Sequence, residues 1–80
     1  MKTILLTPVA LKALGGLPKA VQVQIVAKLK RYAETGAGSV KALVGRPGTR
    51  LRIGNYRAVF IEDSAEIRVF AIGDRRDIYE

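Results

Sequence analysis

Five basic residues and no acid lie between Lys41 and Arg57: Lys41, Arg46, Arg50, Arg52 and Arg57. Arg50 and Arg52 alternate with Leu51 and Ile53, so on a strand both guanidinium groups leave the same face, about 7 Å apart. Gly54-Asn55 follows, and Arg57 comes just after it. Arg75 and Arg76 close the last apolar run. Like charges this close repel one another and add little to stability. Phosphate compensates such a cluster, because guanidinium groups match its oxygens in pairs. The competing reading pairs some of these arginines with Glu62, Asp63, Glu66, Asp74 or Asp77, and Arg68 reads as an ordinary cross-strand partner. Tyr56 and Tyr79 are the aromatic residues nearby. A tyrosine beside arginine can stack on a base and can handle a proton. Tyr56, flanking the turn, reads first as packing; Tyr79, on a polar tail, reads as functional.

Other chemistries are closed to this chain. It has no His and no Cys. That excludes histidine zinc sites, triads with a histidine base, disulfides and thiolate nucleophiles. Glu62, Asp63 and Glu66 surround a turn without a further ligand, so no metal and no cofactor are expected. Gly45-Arg46-Pro47-Gly48 lacks the strand–loop–helix context of a phosphate-binding loop. The net charge is +7, and it is unevenly spread. Residues 1–61 carry eleven basic residues against Glu34, a balance of +10, and residues 62–80 carry three against six acids, a balance of −3. A basic surface facing a polyanion accounts for that asymmetry, as does a solubilising excess of lysine on helix faces.

The elements that must hold these residues follow from periodicity. Eighty residues suit one domain, spanning 1–80, with a modest core and no large enclosed cavity. No apolar run approaches a membrane span or a signal segment, so a cytoplasmic location is expected. Thr3–Leu6 reads as a strand. Thr7-Pro8 reads as an N-cap and first helical residue of a short helix, which a left-handed cap at Gly15-Gly16 would stop. Leu17-Pro18 begins a second helix, with Val21, Ile25, Leu29 and Tyr32 on one stripe, ended by Gly36-Ala37-Gly38. Ser39–Gly48 reads as loop. The period then changes to 2. Leu51 and Ile53 face the core, and Gly54-Asn55 signals a hairpin in which both residues tolerate positive φ. The unbroken run Ala58–Ile61 suggests a central strand buried on both faces. Glu66–Ile72 is the last strand. The order β-α-α-β-β-β predicts an α+β fold, a two-helix hairpin packed on one face of a mainly antiparallel four-stranded sheet.

Three runs carry a resemblance that covers nearly the whole chain: Val40–Gly45, Arg50–Arg57 and Ile72–Tyr79. In this order and spacing they resemble the RelE toxins of the RelE/ParE superfamily, as do the opening T-P-x-A-x-K-A-L and the L-P before the second helix. The resemblance implies the RelE-like ribonuclease fold and a type II toxin–antitoxin toxin, an endoribonuclease that enters the ribosomal A site, cuts mRNA and inhibits translation. It implies as partners a cognate protein antitoxin, the ribosome and mRNA, with no membrane and no small-molecule cofactor. Carried over by position, Arg50 and Arg52 match the basic pair of the active strand. Arg57 matches a phosphate-binding arginine, Arg75 the arginine after the I-G-x motif, and Tyr79 the terminal catalytic tyrosine. Lys41, Arg46, Tyr56 and Arg76 are the expected further RNA contacts.

Cleavage by a neighbouring 2′-OH needs that hydroxyl deprotonated, the phosphorane charge stabilised and the leaving 5′-oxygen protonated. Arginines supply the second of these by preorganised electrostatics. Arginine rarely moves protons, so the two arginines on the active strand leave the general base open between Tyr79 and Asp74. Two other readings stand beside the ribonuclease. One is a ParE-like inhibitor of DNA gyrase, with which the terminal R-R-D-I is partly shared; the other is a catalytically weak member that only binds RNA or ribosomes.

Overall fold

The computed structural model describes residues 1–74. Arg75, Arg76, Asp77 and Tyr79 lie outside the described residues. Strand β1 (Thr3–Leu6) leads into helix α1 (Pro8–Gly15), whose start agrees with the Thr7-Pro8 signal. Thr7 is the N-cap, and its side chain accepts from the Ala10 backbone N–H at 3.3 Å. The end of α1 differs from expectation. Gly16 is right-handed at φ −84°, and its N–H reaches the last carbonyls of the helix directly. The left-handed cap belongs instead to α2 (Lys19–Thr35), where Gly36 takes φ 73°.

Four more strands follow: β2 (Ser39–Ala42), β3 (Thr49–Ile53), β4 (Tyr56–Glu62) and β5 (Glu66–Asp74). The sheet order is β1-β5-β4-β3-β2, with β1 parallel to β5 and every other pair antiparallel. The α+β class and the packed helix pair are as expected, but the sheet has five strands. The added strand is β2, in a segment whose sequence has the character of a loop. All four of its residues are exposed. Its S-V-K-A alternation buries no side chain, and only its backbone pairing with β3 makes it a strand.

Both helices cover one face of this sheet. Ala10, Leu14, Ile25 and Leu29 meet Leu51, Ile53, Ala58, Phe60, Ile67, Val69 and Ile72 there. Phe60 is fully buried, and its ring lies 5.2 Å from that of Tyr32. As the apolar run suggests, β4 is central and Ala58, Val59 and Phe60 are buried; Ile61, at the run's end, is half exposed on the face turned from the helices.

Two local irregularities set the geometry of the other face. Gly54 has φ 59° and Asn55 does not share it, since among the described residues only glycines have positive φ. A single positive φ at the first turn position is the pattern of a II′ hairpin, which joins β3 to β4 without splaying them. In the β4–β5 ladder Val59 pairs with Ala71 but Phe60 pairs with Val69, so Phe70 is bulged out. The bulge shifts the phase of β5 by one residue. Ile72 thereby faces the helices, and Gly73 turns to the open face.

Glu62 does not belong to an exposed turn, as its place in the sequence suggests. It is half-buried and accepts hydrogen bonds from Lys2 and the Tyr32 hydroxyl. Burial works against the Glu62 carboxylate, but those two donors outweigh it and hold the carboxyl below its ordinary range. Burial, and then the hydrogen bond to the carboxylate, pushes the Tyr32 hydroxyl up to about 12. Asp63, by contrast, is a turn residue as expected, accepting from the Ala65 and Glu66 N–H groups at 2.8 Å. Among the described residues no helix is long and apolar enough to cross a membrane, and no group of three metal-ligating side chains forms.

Candidate functional site: a cationic sheet face

The face of β2, β3 and β4 turned away from the helices holds two rows of side chains. In the first, Ser39 pairs with Arg52, Arg52 with Arg57, and Arg57 with Gly73. In the second, Lys41 pairs with Arg50, Arg50 with Val59, and Val59 with Ala71. The rows lie two residues apart on each strand, about 7 Å. Directly opposed residues have Cβ atoms about 5 Å apart. Arg52 and Arg57 are therefore like charges placed face to face, and so are Lys41 and Arg50.

The first row is built for access. Ser39 and Gly73 at its ends are small. Arg52 is exposed, and among the described residues no carboxylate pairs with it. Arg57 is half-buried, with its Nη1 withdrawn from solvent. A partly desolvated guanidinium acts on an anion more strongly than one in open water.

The far end of the second row is closed by apolar residues. Val59 and Leu43 are buried on this face, although the main core lies on the other. The β2–β3 loop folds back so that the Leu43 N–H donates to the Gly48 carbonyl at 3.0 Å. A Cβ at Gly48 would lie 3.0 Å from Leu43 Cδ1 and 3.6 Å from Phe70 Cζ, on a backbone with φ 129°. Only glycine fits there. The bulged Phe70 thus helps anchor the loop that carries Arg46 at its exposed tip.

The structure brings Lys41, Arg50, Arg52 and Arg57 together on one face. Arg46 stands apart on the loop. Tyr56 falls on the opposite face, half-buried and packed against the core, because it pairs with Ile53 and so shares its side of the sheet. It is the packing residue that its place beside the turn suggests, and it does not meet the arginines. Arg75, Arg76 and Tyr79 lie outside the described residues. Arg68 sits farther along the same face and pairs with Glu66 on its own strand at 2.5 Å, not with a neighbour across the ladder. Ser39 and Gly73 join the site unforeseen. No signal in the sequence marks them, since one depends on an exposed edge strand and the other on a bulge.

Positions on this patch are cationic, small or apolar. Such a surface can hold an anionic oxygen cluster and stabilise charge that builds on it. Among the described residues it offers no carboxylate or tyrosine hydroxyl to carry a proton.

No family model matches this chain, and no curated protein matches it. Solved structures do. The RelB–RelE antitoxin–toxin complex of Methanococcus jannaschii aligns at 20% identity over 94% of each chain, with a TM-score of 0.76. The toxin–antitoxin complex RelBE2 of Mycobacterium tuberculosis aligns at 20% identity over 92% of this chain and 98% of the other, with a TM-score of 0.78. The YoeB dimer of Staphylococcus aureus aligns at 22% identity over 88% of this chain and 92% of the other, with a TM-score of 0.73. At these identities the likeness is one of fold. The chain has the RelE-like fold, with little added or missing.

Proposed function

We propose that this protein is the toxin of a type II toxin–antitoxin pair and acts as a ribosome-dependent mRNA endoribonuclease. The observation that carries the reading is the Arg52–Arg57 pair. Two guanidinium groups face each other across a hairpin on an open sheet face, one exposed and one partly desolvated, with Arg50 beside them. Opposed like charges work against the fold, and a phosphate between them gives the pair a use. That the fold is RelE-like supports the choice of RNA phosphate over other anions.

In this reading the 2′-OH of the nucleotide before the scissile bond attacks the phosphorus. The bond to the 5′-oxygen breaks, leaving a 2′,3′-cyclic phosphate and a free 5′-OH. Arg52 and Arg57 hold the non-bridging oxygens and stabilise the extra charge of the phosphorane, and Arg50 adds to the field. Losing one such preorganised donor costs about 10²–10³ in rate. Tyr79 is proposed to exchange the proton, with Arg75 as a further phosphate ligand.

The cognate antitoxin is proposed to dock on the helix side. An apolar groove of about 370 Å³ runs past Leu14, Val23 and Val26 to Lys30. Lys30 lines it, Lys12, Lys19, Lys28 and Arg31 are the other cations of the two helices, and Glu34 is their one acid. An acidic amphipathic helix fits that combination.

Inducible expression with metabolic labelling tests the reading, followed by primer extension on mRNA from the arrested cells. Protein synthesis should stop first, with new 5′ ends inside codons, and Arg57→Ala should abolish both. Co-expression of the adjacent reading frame should restore growth. If DNA supercoiling fails before protein synthesis, the protein is a gyrase inhibitor. If synthesis stops without cut mRNA, it binds without cleaving.

A further inference from the structure

The second row of the cationic face is not accounted for by one scissile phosphate. Lys41 comes from the edge strand β2 and Arg50 from β3, and they oppose each other directly. Their row lies one side-chain repeat, about 7 Å, from the Arg52–Arg57 row. The two pairs are also staggered: the first spans β3 and β4, and the second spans β2 and β3. A line through them runs diagonally across the sheet toward its edge. A nucleic-acid strand presents a phosphate at every nucleotide step, a spacing of the same order.

We propose that Lys41 and Arg50 form a second phosphate site, which binds the backbone phosphate next to the scissile one in single-stranded RNA. This deepens the reading above and rests on it. The apolar end of the row decides the path. Beyond Arg50 lie buried Val59 and Leu43, which offer an anion nothing, while Arg46 stands apart at the loop tip. The strand therefore leaves the sheet over β2, past Lys41. Holding two successive phosphates fixes which linkage sits between Arg52 and Arg57. Lys41 is thus a positioning residue that sets the register of cleavage, and β2 exists as a strand to present it.

An uncleavable 2′-O-methyl hexanucleotide tests this by fluorescence anisotropy across a salt series. Each lost phosphate contact on a single strand lowers the log–log salt slope by about 0.7. Lys41→Ala should lower it by that much and weaken binding several-fold, and Lys41→Arg should restore both. A second probe replaces one phosphate at a time with an uncharged methylphosphonate. The unmodified protein should lose affinity at two adjacent linkages, and Lys41→Ala at one only. Lys41 is exposed on an edge strand, so both variants should fold, which circular dichroism checks. Wild-type slope and a two-linkage profile in Lys41→Ala and Lys41→Glu would overturn the second site. If Arg57→Ala still weakens binding in that case, the first site and the proposed function stand. If Arg57→Ala also binds as wild type, or the unmodified protein does not bind at all, RNA is not held on this face and both readings fail.

Discussion

At one end of β4, Glu62 accepts hydrogen bonds from Lys2 and Tyr32; at the other, Arg57 faces Arg52. The first cluster is balanced within the molecule. A carboxylate, an ammonium and a hydroxyl satisfy one another and tie the first residues of the chain and helix α2 to the sheet. The second sets like charges opposite each other, and the neighbouring row repeats the arrangement with Lys41 and Arg50. A matched cluster is explained by the fold that contains it. Opposed like charges work against the fold, and an anion bound between them would offset that. The two ends of one strand thus contrast a residue set that serves stability with one that we propose serves recognition.

The sharpest way to break that contrast is Arg52→Gln. It should lower ribosome-dependent cleavage by about 10²–10³, or roughly 3–4 kcal/mol of transition-state stabilisation. The same change should leave stability to denaturant unchanged or raise it by about 0.2–1 kcal/mol, because a repulsive cross-strand pair is gone. A loss of stability comparable to the loss of activity would erase the distinction between the clusters.

Glu62→Gln should do the reverse. It weakens two charge-assisted hydrogen bonds and should cost about 1–3 kcal/mol in urea unfolding. Cleavage per folded molecule should not change. Tyr32→Phe should cost less, about 1 kcal/mol, since it removes one hydrogen bond and leaves Lys2 on the carboxylate.

The matched cluster also carries two pH dependences of opposite sign. The Glu62 pKa is depressed by folding. Its contribution is therefore present above the unfolded carboxylate value of 4.5 and is lost as pH falls through the lower folded value. The Tyr32 pKa is raised by folding. Its contribution is full below the unfolded value of 10.0 and is lost as pH rises through about 12. Thermal melts across these ranges should show both losses. Tyr32→Phe should remove the alkaline one, and an unchanged alkaline loss in that variant would assign it elsewhere.

The smallest effect is on salt. Added salt screens the repulsion on the cationic face and should stabilise the wild-type protein by about a few tenths of a kcal/mol. Arg52→Gln should respond less. A destabilisation by salt would mean that favourable pairing on this face outweighs the repulsion.

Much of this contrast is legible in the residues themselves. The alternation of Arg50 and Arg52 with Leu51 and Ile53 assigns each side chain to a face, because a strand has period 2 and one face must bury apolar area. The Thr7-Pro8 start, the stripe of α2 and the hairpin at Gly54 are readable for similar local reasons. The four residues of β2 are not, since an edge strand exposed throughout looks like a loop. Nor is the handedness at Gly16. Glycine permits a left-handed cap without requiring one, and Gly16 takes the right-handed region before the extended Pro18 that caps α2. The place of Glu62 is hidden because its partners, Lys2 and Tyr32, are 60 and 30 residues away.

Residue types and their spacing are enough to establish that this chain lacks histidine and cysteine chemistry, that its cations cluster around one hairpin, and which of them share a side of β3. Those are properties of composition and of a two-residue repeat, and they hold for any strand of this sequence. Which cations meet is decided by pairing between strands. Arg52 faces Arg57 because Gly54 closes the turn with a single positive φ. Lys41 faces Arg50 because β2 returns to the sheet edge. Gly73 lies opposite Arg57 because one bulged residue, Phe70, shifts the phase of β5. Each depends on register, which is set where distant segments meet and bury a common face, and no local pattern encodes it.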